Sequence, residues 1–445
     1  MALGSTPLQK QPVAVTDIRS GVRFSWRWTI AFCLLVINLI AYVDRVNLSV
    51  ATPLIMKEFG LDAVQMGAIM SVFYVGYAVM NTPGGILADK YSARLTILSG
   101  LFGWSIFTWI TGTATTFMQL MLIRLGFGLG EGVLAPGNGR LVYNWFKPNE
   151  RATANGFWLG GMQLGVVVGG PLSAWIVSEY GWRAVFHVFG FVGVILTGIM
   201  AFILSERPGE HRFISDAERT EIVDAQAAEP VSARGGQVSL LALLQNPWVW
   251  VLGAGYFCVL IMWWANMSWM PGYLVAERKL TIMQAGAATA LPYLAGTVGI
   301  LTSGWLTDRV LGGWRTPPII VGMLAAPFFI LLSMVSTSDA VCIASFSMAN
   351  FLGAGATGLF WTLPMELYPR DKVGTTSGFM LTCGTISGII APVMIGYFVK
   401  TTGSFFWGFS VVAIVVFAGA FMAIALFRLE RRVKAERLLR AAFPH

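Results

Sequence analysis

The sequence predicts an all-α membrane protein with twelve transmembrane helices in two six-helix bundles. Hydrophobic residues make up 56% of the 445 residues and charged residues only 12%, whereas a soluble domain carries about 25% charged residues. Twelve apolar segments reach the roughly 20 residues that a helix needs to cross the hydrocarbon core. One long polar stretch, residues 206–246, divides these segments six and six.

The twelve spans follow one another with short polar loops inside each half. They are predicted at 28–52, 65–88, 94–114, 116–144, 152–178, 183–205, 247–276, 283–307, 316–336, 340–366, 373–399 and 404–427. The predicted domains are an N-terminal segment at 1–27, a first bundle at 28–205, a linker at 206–246, a second bundle at 247–427 and a basic tail at 428–445. Residues 1–26 lack the apolar stretch of a cleaved signal, so the first span should direct insertion.

Lysine and arginine fall unevenly on the two sides of these spans. If the N-terminus is cytoplasmic, two of the 30 basic residues lie within spans and five lie outside, which leaves 23 on the cytoplasmic side. The five outside are Lys57, Arg183, Arg278, Lys279 and Lys400. This bias predicts that both termini are cytoplasmic, and it accounts for the net charge of +8 without a nucleic-acid partner. The tail from Arg428 to Arg440 is predicted as a basic helix that either lies against anionic headgroups or is a solvated flank.

Several kinds of site are not predicted. The cysteines lie in apolar runs without a CxxC pair and the three histidines are scattered, which favours neither a disulfide framework nor a metal site. The chain has no GxxxxGK[ST] motif for ATP, and its glycine-rich runs lie within spans, where glycine permits close helix packing. Without a nucleophile and base together, an enzyme is not expected. We also expect no cofactor, because the proton gradient would supply the work.

The two halves of the sequence repeat a short motif. Gly85 is followed by Asp89 and Arg94 after the second span, and Gly304 is followed by Asp308 after the eighth. The two glycines are 219 residues apart, about half the chain, which indicates a duplication of the kind from which alternating-access transporters are built. The glycines let helices approach, and the charged residues are predicted to form ion pairs that open and close with the conformation. The alternative is that they are ordinary charged loops at helix ends.

The first copy of this motif resembles the signature loop of the major facilitator superfamily. The run Gly85-Ile-Leu-Ala-Asp89-Lys90 with Arg94 carries the resemblance, and the partial copy at Gly304 supports it. Members commonly have glycine three residues after the aspartate, where this chain has Ser92. The resemblance implies the fold of that superfamily, with two pseudo-symmetric bundles that alternate access to a central site.

Four charged residues are predicted inside the membrane, all in the first half. The first span carries Asp44 and Arg45, and the fourth carries Arg124 and Glu131. A charge near the bilayer centre costs at least about 2.5–3.5 kcal/mol. The seven-residue spacing puts Arg124 and Glu131 on one helix face, about 10 Å apart, so two acid–base pairs can form between the spans.

Two interpretations of these charges remain open. They can be buried ion pairs with a purely structural role, although such pairs are often replaceable by apolar residues without loss of stability. Alternatively, the arginines attract an anion and the acids carry protons. An acid that shares its arginine with an arriving carboxylate would then gain proton affinity, which is the thermodynamic basis of symport.

The same residues resemble the anion:cation symporter branch of the superfamily, which includes bacterial sugar-acid transporters and animal sialic acid and vesicular glutamate carriers. The runs that carry this resemblance are Tyr42-Val-Asp44-Arg45-Val-Asn47, Arg124 to Gly132, and Gly181-Trp182-Arg183. It implies that Arg45 contacts the substrate carboxylate, that Asp44 and Glu131 are protonation sites, and that Arg124 pairs with one of them. Tyr42, Tyr77 and Gln163 fall where the branch places substrate contacts.

The second half matches that branch less closely. The run Asn266 to Tyr273 resembles the seventh helix, whose aromatic residues close the outer gate. The eleventh span offers the hydroxyl of Thr385 where the branch usually has asparagine for sugar hydroxyls. The half is rich in aromatic residues, including Trp361, which either pack and anchor the helices or line the cavity. In the second case an aromatic carboxylate such as a phthalate becomes a candidate substrate.

The predicted function is proton-coupled uptake of an organic carboxylate, most simply a sugar acid of the galactonate, glucarate or hexuronate type. The alternatives are a phthalate-type substrate, anion exchange, sodium coupling, and a membrane sensor built on a transporter scaffold. The expected partners are the organic anion, protons and the lipid bilayer, and we expect a monomer in the bacterial inner membrane.

Overall fold

Over the residues that the structure describes, the helix is the only regular secondary structure. The computed structural model describes residues 25–228, 244–368 and 370–442. Its helices are α1 (Trp26–Phe59), α2 (Ala63–Lys90), α3 (Ala93–Thr111), α4 (Phe117–Glu131), α5 (Leu134–Trp145), α6 (Arg151–Tyr180), α7 (Trp182–Ile203), α8 (Asp216–Ala227), α9 (Pro247–Ala276), α10 (Ile282–Arg309), α11 (Thr316–Val335), α12 (Asp339–Phe360), α13 (Leu363–Leu367), α14 (Arg370–Thr402) and α15 (Phe405–Ala442).

Among the described residues, twelve helical segments are long and apolar enough to cross a membrane, so the predicted number of spans is confirmed. Two of these spans are interrupted. The fourth consists of α4 and α5, and the tenth of α12 and α13. The interruption after α4 comes directly after Glu131, one of the charged residues that the sequence places inside the membrane.

Outside the spans, both the linker and the tail contain helices. The linker contains a short 3-10 helix at Pro208–Glu210 and the helix α8. The last helix continues beyond the predicted end of its span at 427 to Ala442, so the tail is helical, as predicted. The predicted N-terminal segment lies outside the described residues except for its last three, as do residues 229–243 of the linker.

Helix starts repeat between the halves. Asp62 caps α2 in a reciprocal pair with Gln65, and Thr281 caps α10 in the same way with Gln284. Such a capping box satisfies backbone N–H groups that the first turn leaves free. The two caps are 219 residues apart, the same separation as that of Gly85 and Gly304. The repeat therefore extends through the whole second span of each half.

Helix α8 attaches the linker to the first half. Glu218 accepts hydrogen bonds from the Ser25 hydroxyl and from the backbone N–H groups of Trp26 and Arg27, and so caps the start of α1. One turn further on, Glu221 pairs with Lys147, whose hydrogen bond lowers the pKa of that carboxyl group. The described part of the linker thus belongs to the first bundle.

The two halves meet at one end of the molecule. We call the end at which α1 begins the terminal face and the end at which α1 stops the distal face. Gly67 of α2 lies against the backbone of Pro392 in α14, where an added Cβ would approach the Pro392 carbonyl oxygen to 2.5 Å. Gly170 of α6 lies equally close to Gly286 of α10, with 2.9 Å left for a Cβ. Only glycine allows backbones to approach this closely, so both contacts close the distal face.

Helices α6 and α10 separate toward the terminal face. A Cβ added to Gly156 or Gly160, near the start of α6, would meet nothing within 4 Å, and the same holds for Gly304 near the end of α10. The close glycine contacts between the halves described above lie on the distal side, and from the empty space beside these three glycines we infer a conformation open toward the terminal face.

One ion pair joins the halves among the described residues. The Lys400 ammonium at the end of α14 lies 2.8 Å from Asp62 Oδ2 at the start of α2. The hydrogen bond from Lys400, followed by that from the backbone of Gln65, lowers the pKa of Asp62. Because the ionised carboxylate is the form that binds Lys400, this contribution is complete above the ordinary carboxyl pKa and is lost as pH falls through the lowered value.

We expect Lys400→Met to shift the population of molecules modestly toward a conformation in which the distal face is open. An exposed ion pair contributes about 0.2–1 kcal/mol, so the ratio of the two states should change by at most about fivefold. Spin-label distances across the distal face measure that ratio. Lys57→Met is the matched control, because Lys57 forms no ion pair among the described residues. An equal shift in both variants would contradict a specific role for Lys400.

Candidate functional site

A buried ion pair joins α1 to α4 at the centre of the first half. Arg45 Nη2 lies 2.5 Å from Glu131 Oε1, and Arg45 Nε donates to the same oxygen at 2.8 Å. The side chains are 5% and 0% exposed, respectively. Leaving either charge buried without the other would be strongly destabilising. The pair therefore fixes the position of α1 against α4 as well as the orientation of the guanidinium group.

Aromatic rings surround the Arg45 guanidinium carbon. The ring centres lie at 4.4 Å for Tyr42, 4.9 Å for Phe73, 5.1 Å for Tyr77 and 5.8 Å for Trp264. Ring faces attract cations electrostatically when water is excluded. Trp264 lies on α9, and its indole donates to the Gly384 carbonyl of α14 at 3.2 Å. The second half thus completes the surroundings of the charge carried by the first.

The second expected pair, Asp44 with Arg124, is not closed in this conformation. The two side chains face one another, yet among the described residues no ion pair within 4.0 Å joins them. Asp44 Oδ2 and two nitrogen atoms of Arg124 have no hydrogen-bond partner. The guanidinium rests instead on Phe127 and Phe186, at 5.1 and 5.3 Å. One acid–base pair of the four charges is formed and the other is held apart.

A small cavity lies between Arg45 and the distal closure. Its volume is about 30 Å³, room for no more than a few water molecules. It is lined by Arg45, Leu48, Ser49, Met70, Phe73, Tyr74, Arg124, Phe127, Met267 and Ser268. A carboxylate substrate does not fit there, so in this conformation a substrate has to approach Arg45 from the terminal side.

Three other predicted contact residues come from α6 and the second half. Gln163 is buried and its Nε2 has no hydrogen-bond partner; this nitrogen would lie 3.7 Å from a Cβ at Gly296. Thr385 donates to the Leu381 carbonyl of its own helix at 3.0 Å. Trp361, at the end of α12, has its ring 6.1 Å from that of Tyr256. The structure thus gathers Tyr42 and Tyr77 around Arg45, while Thr385 and Trp361 make their contacts within the second half.

Among the described residues, the ion pairs of the repeated motif's charged residues lie within their own half. Asp89 lies 3.6 Å from Arg140, and Asp308 lies 2.6 Å from Arg315. Arg94 does not pair with Asp89; its guanidinium donates to the Ala201 carbonyl at 2.5 Å. These described pairs leave the terminal face free to open.

Sequence reasoning missed part of this site. Phe73 and Tyr74 were not singled out, although Phe73 lies four residues before Tyr77 and so on the same helix face. Arg140 was missed as the partner of Asp89, because nothing in the local sequence marks a contact with so distant a residue. Arg315 was missed as the partner of Asp308, although it lies in the loop that follows Asp308.

The family of the chain follows from its match to a protein-family model. The model of the Major Facilitator Superfamily matches residues 34–392, which is most of the chain. The chain belongs to the major facilitator superfamily. Its members are transporters, so this chain is a multi-pass membrane transporter and not an enzyme.

Relatives and solved structures agree with this assignment. A Bacillus subtilis (strain 168) protein named probable galactarate/D-glucarate transporter is 31% identical over 419 residues, covering 89% of this chain and 90% of its own. An Escherichia coli O6:H1 protein named D-galactonate transporter is 33% identical over 382 residues, covering 82% and 87%. The crystal structure of a bacterial homologue of the human lysosomal transporter Spinster, inward-facing and unoccupied, shares the fold. Its TM-score is 0.72 at 19% identity, over 92% of this chain and 97% of that one.

We expect Arg45→Met to destabilise this transporter strongly, because it leaves the Glu131 carboxylate buried without its cation. Breaking one side of such a pair costs about 3–5 kcal/mol, whereas replacing both sides with apolar residues is often neutral. Arg45→Met with Glu131→Leu should therefore recover most of the loss in Tm, measured by thermal unfolding in detergent. Arg183→Met, which breaks the exposed pair with Glu58, should cost less than about 1 kcal/mol. A double variant as unstable as Arg45→Met would refute this account of the pair.

Proposed function

We propose that this transporter takes up an organic carboxylate together with protons. The observation that carries the proposal is the Arg45 guanidinium, which is buried, surrounded by aromatic rings and held by one carboxylate oxygen of Glu131. A guanidinium binds carboxylates through paired N–H donors. An arriving substrate carboxylate would compete with Glu131 for these donors, at the end of the path open to the terminal face.

Competition for Arg45 provides the coupling. When the substrate occupies the guanidinium, Glu131 loses its cation and its ionised form becomes costly in a buried site. Glu131 then takes up a proton, and by reciprocity a protonated Glu131 leaves Arg45 free for substrate. Asp44 is the second proposed protonation site, because its carboxylate is buried and Arg124 is not bound to it. Each negative charge that enters against 100 mV costs about 2.3 kcal/mol, so at least one proton per substrate charge is needed.

A sugar acid is the substrate class that the relatives favour, since two of them are named as transporters of galactarate/D-glucarate and D-galactonate. The unpartnered amide of Gln163 can bind a hydroxyl group. The aromatic rings around Arg45 favour an aromatic carboxylate as the second candidate, because they offer faces for stacking. Exchange of one anion for another would use the same arginine without net proton movement.

The orientation, the location and the oligomeric state of the transporter are part of the same proposal. The basic bias of the loops on the terminal face supports its placement in the cytoplasm, which makes this conformation inward-open. We propose the bacterial inner membrane as the location and a monomer as the working unit. No cofactor is required, because the proton gradient supplies the work.

Proteoliposomes that contain a pH-sensitive dye test this function directly. Galactonate, glucarate, glucuronate and phthalate are added one at a time, and we expect at least one of them to acidify the interior. Arg45→Lys keeps the charge but loses the paired donors, so the apparent affinity should fall about ten- to hundredfold, equivalent to about 1.5–3 kcal/mol. Glu131→Gln should allow substrate exchange without acidification. Arg183→Lys, at the distal surface, is the matched control and should retain wild-type uptake.

Two results would argue against this proposal. Accumulation of labelled substrate only by exchange, with no change of internal pH, would identify an antiporter. Full acidification by Glu131→Gln would remove that residue from the proton path.

A further inference from the structure

A hydrogen-bonded chain leads from Asp44 to the neighbouring helix α6. Asn47, one turn along α1, donates from its amide to Asp44 Oδ1 at 3.4 Å. The Ser173 hydroxyl of α6 donates to the Asn47 amide oxygen at 2.5 Å. Asn47 and Ser173 are 0% exposed and Asp44 is 1% exposed. Polar groups at such depth are costly unless each finds a partner, so this chain is built into the helix contact.

The direction of these bonds depends on the charge of Asp44. An ionised carboxylate can only accept, so the amide of Asn47 turns its NH₂ group toward Asp44 and its oxygen toward Ser173. A protonated Asp44 can donate instead. The Asn47 amide would then turn its oxygen to Asp44 and its NH₂ group to Ser173, whose hydroxyl would become the acceptor. The chain therefore has two arrangements, one for each protonation state.

Ser173 lies where α6 closes the distal face. Gly170, three residues earlier, and Ala174, the next residue, both contact Gly286 of α10 in the other half. A Cβ on Gly286 would overlap the Ala174 side chain and would lie 2.8 Å from the Gly170 carbonyl oxygen. So little space leaves α6 no freedom to rotate or slide without disturbing that contact. A change in the bonding of Ser173 therefore acts at the contact between the halves.

Other groups also face Asp44. From α4 these are Arg124 and Glu131, and from α3 they are Thr108 and Trp104. All four belong to helices of the first half. Among these groups and the two of the chain, Ser173 is the one whose helix reaches α10 through glycine-close contacts.

We propose that Asn47 and Ser173 are positioning residues that couple the protonation of Asp44 to the α6–α10 contact on the distal face. The inference rests on the proposed function, in which Asp44 is a proton site. Neither residue touches the substrate. Asn47 stabilises the ionised form of Asp44 by donating to it, and Ser173 fixes the amide in the orientation that does so. The protonation state of Asp44 thus affects the α6–α10 contact through two hydrogen bonds.

The pH dependence of uptake tests the chain. Without the Asn47 donor the carboxylate is less stabilised and keeps its proton to higher pH. In Asn47→Ala we expect half-maximal uptake to move upward by about half to one pH unit. Ser173→Ala should move it in the same direction by less. Because Ser173 acts through Asn47, the double variant should match Asn47→Ala alone. Ser333→Ala is the control, since this buried hydroxyl donates only to its own helix at Ile330.

A second measurement follows the distance between the two halves at the distal face. Spin labels at Lys57→Cys and Thr337→Cys, in a background that lacks the native cysteines, report the distance across the distal face. We expect the pH at which this distance changes to shift in Asn47→Ala and Ser173→Ala as uptake does. This readout remains available if a variant folds but transports poorly.

The outcomes separate this inference from the proposed function. Unshifted profiles in both variants, with wild-type protein that acidifies vesicles normally, would overturn the inference and leave the symport intact. A shift in the double variant equal to the sum of the single shifts would also overturn it, because the residues would then act independently. Wild-type protein that moves no protons would instead refute the proposed function.

Discussion

The buried pair of Arg45 and Glu131 is the constraint on which the first half depends. A charge in the middle of a bilayer is tolerated only when it is neutralised or faces a polar path. The pair therefore dictates how α1 and α4 approach one another and where the aromatic rings must stand. It also leaves the site able to bind an anion, because a carboxylate of suitable shape can take the place of Glu131 on the guanidinium. One interaction thus serves both the assembly of the bundle and the recognition of an anion.

The distal face and the terminal face are held by different kinds of contact. At the distal face the halves meet through glycine backbones and a single exposed ion pair, Asp62 with Lys400, among the described contacts. At the terminal face the charged loops pair within their own half, as Asp308 does with Arg315. Close backbone packing at small residues relies on van der Waals contacts rather than on many hydrogen bonds. Such an arrangement suits two bundles that rock against each other, since neither end holds many bonds that must be broken.

The sequence predicted the architecture because helix length, hydropathy and loop charge are local properties. The twelve spans and the four embedded charges could be read directly, and the repeat at Gly85 and Gly304 revealed the two halves. The partner of each charge could not be read in the same way. Spacing allowed Asp44 or Glu131 to bind either arginine, and only the folded positions of α1 and α4 give Glu131 to Arg45. The rings of Phe73 and Trp264 were equally hidden, because a buried aromatic residue has the same sequence signal whether it faces a cavity or a neighbouring helix.

The attachment of α8 to the start of α1 has a consequence for how the chain is made. Glu218 and Glu221 tie this helix to residues near both α1 and α5, so these linker contacts can form before any residue of the second bundle is made. Domains generally fold as units while synthesis continues. The first bundle can therefore reach its final arrangement in the bilayer while the second is still on the ribosome, and the chain should tolerate division between α8 and α9 into two polypeptides that reassemble.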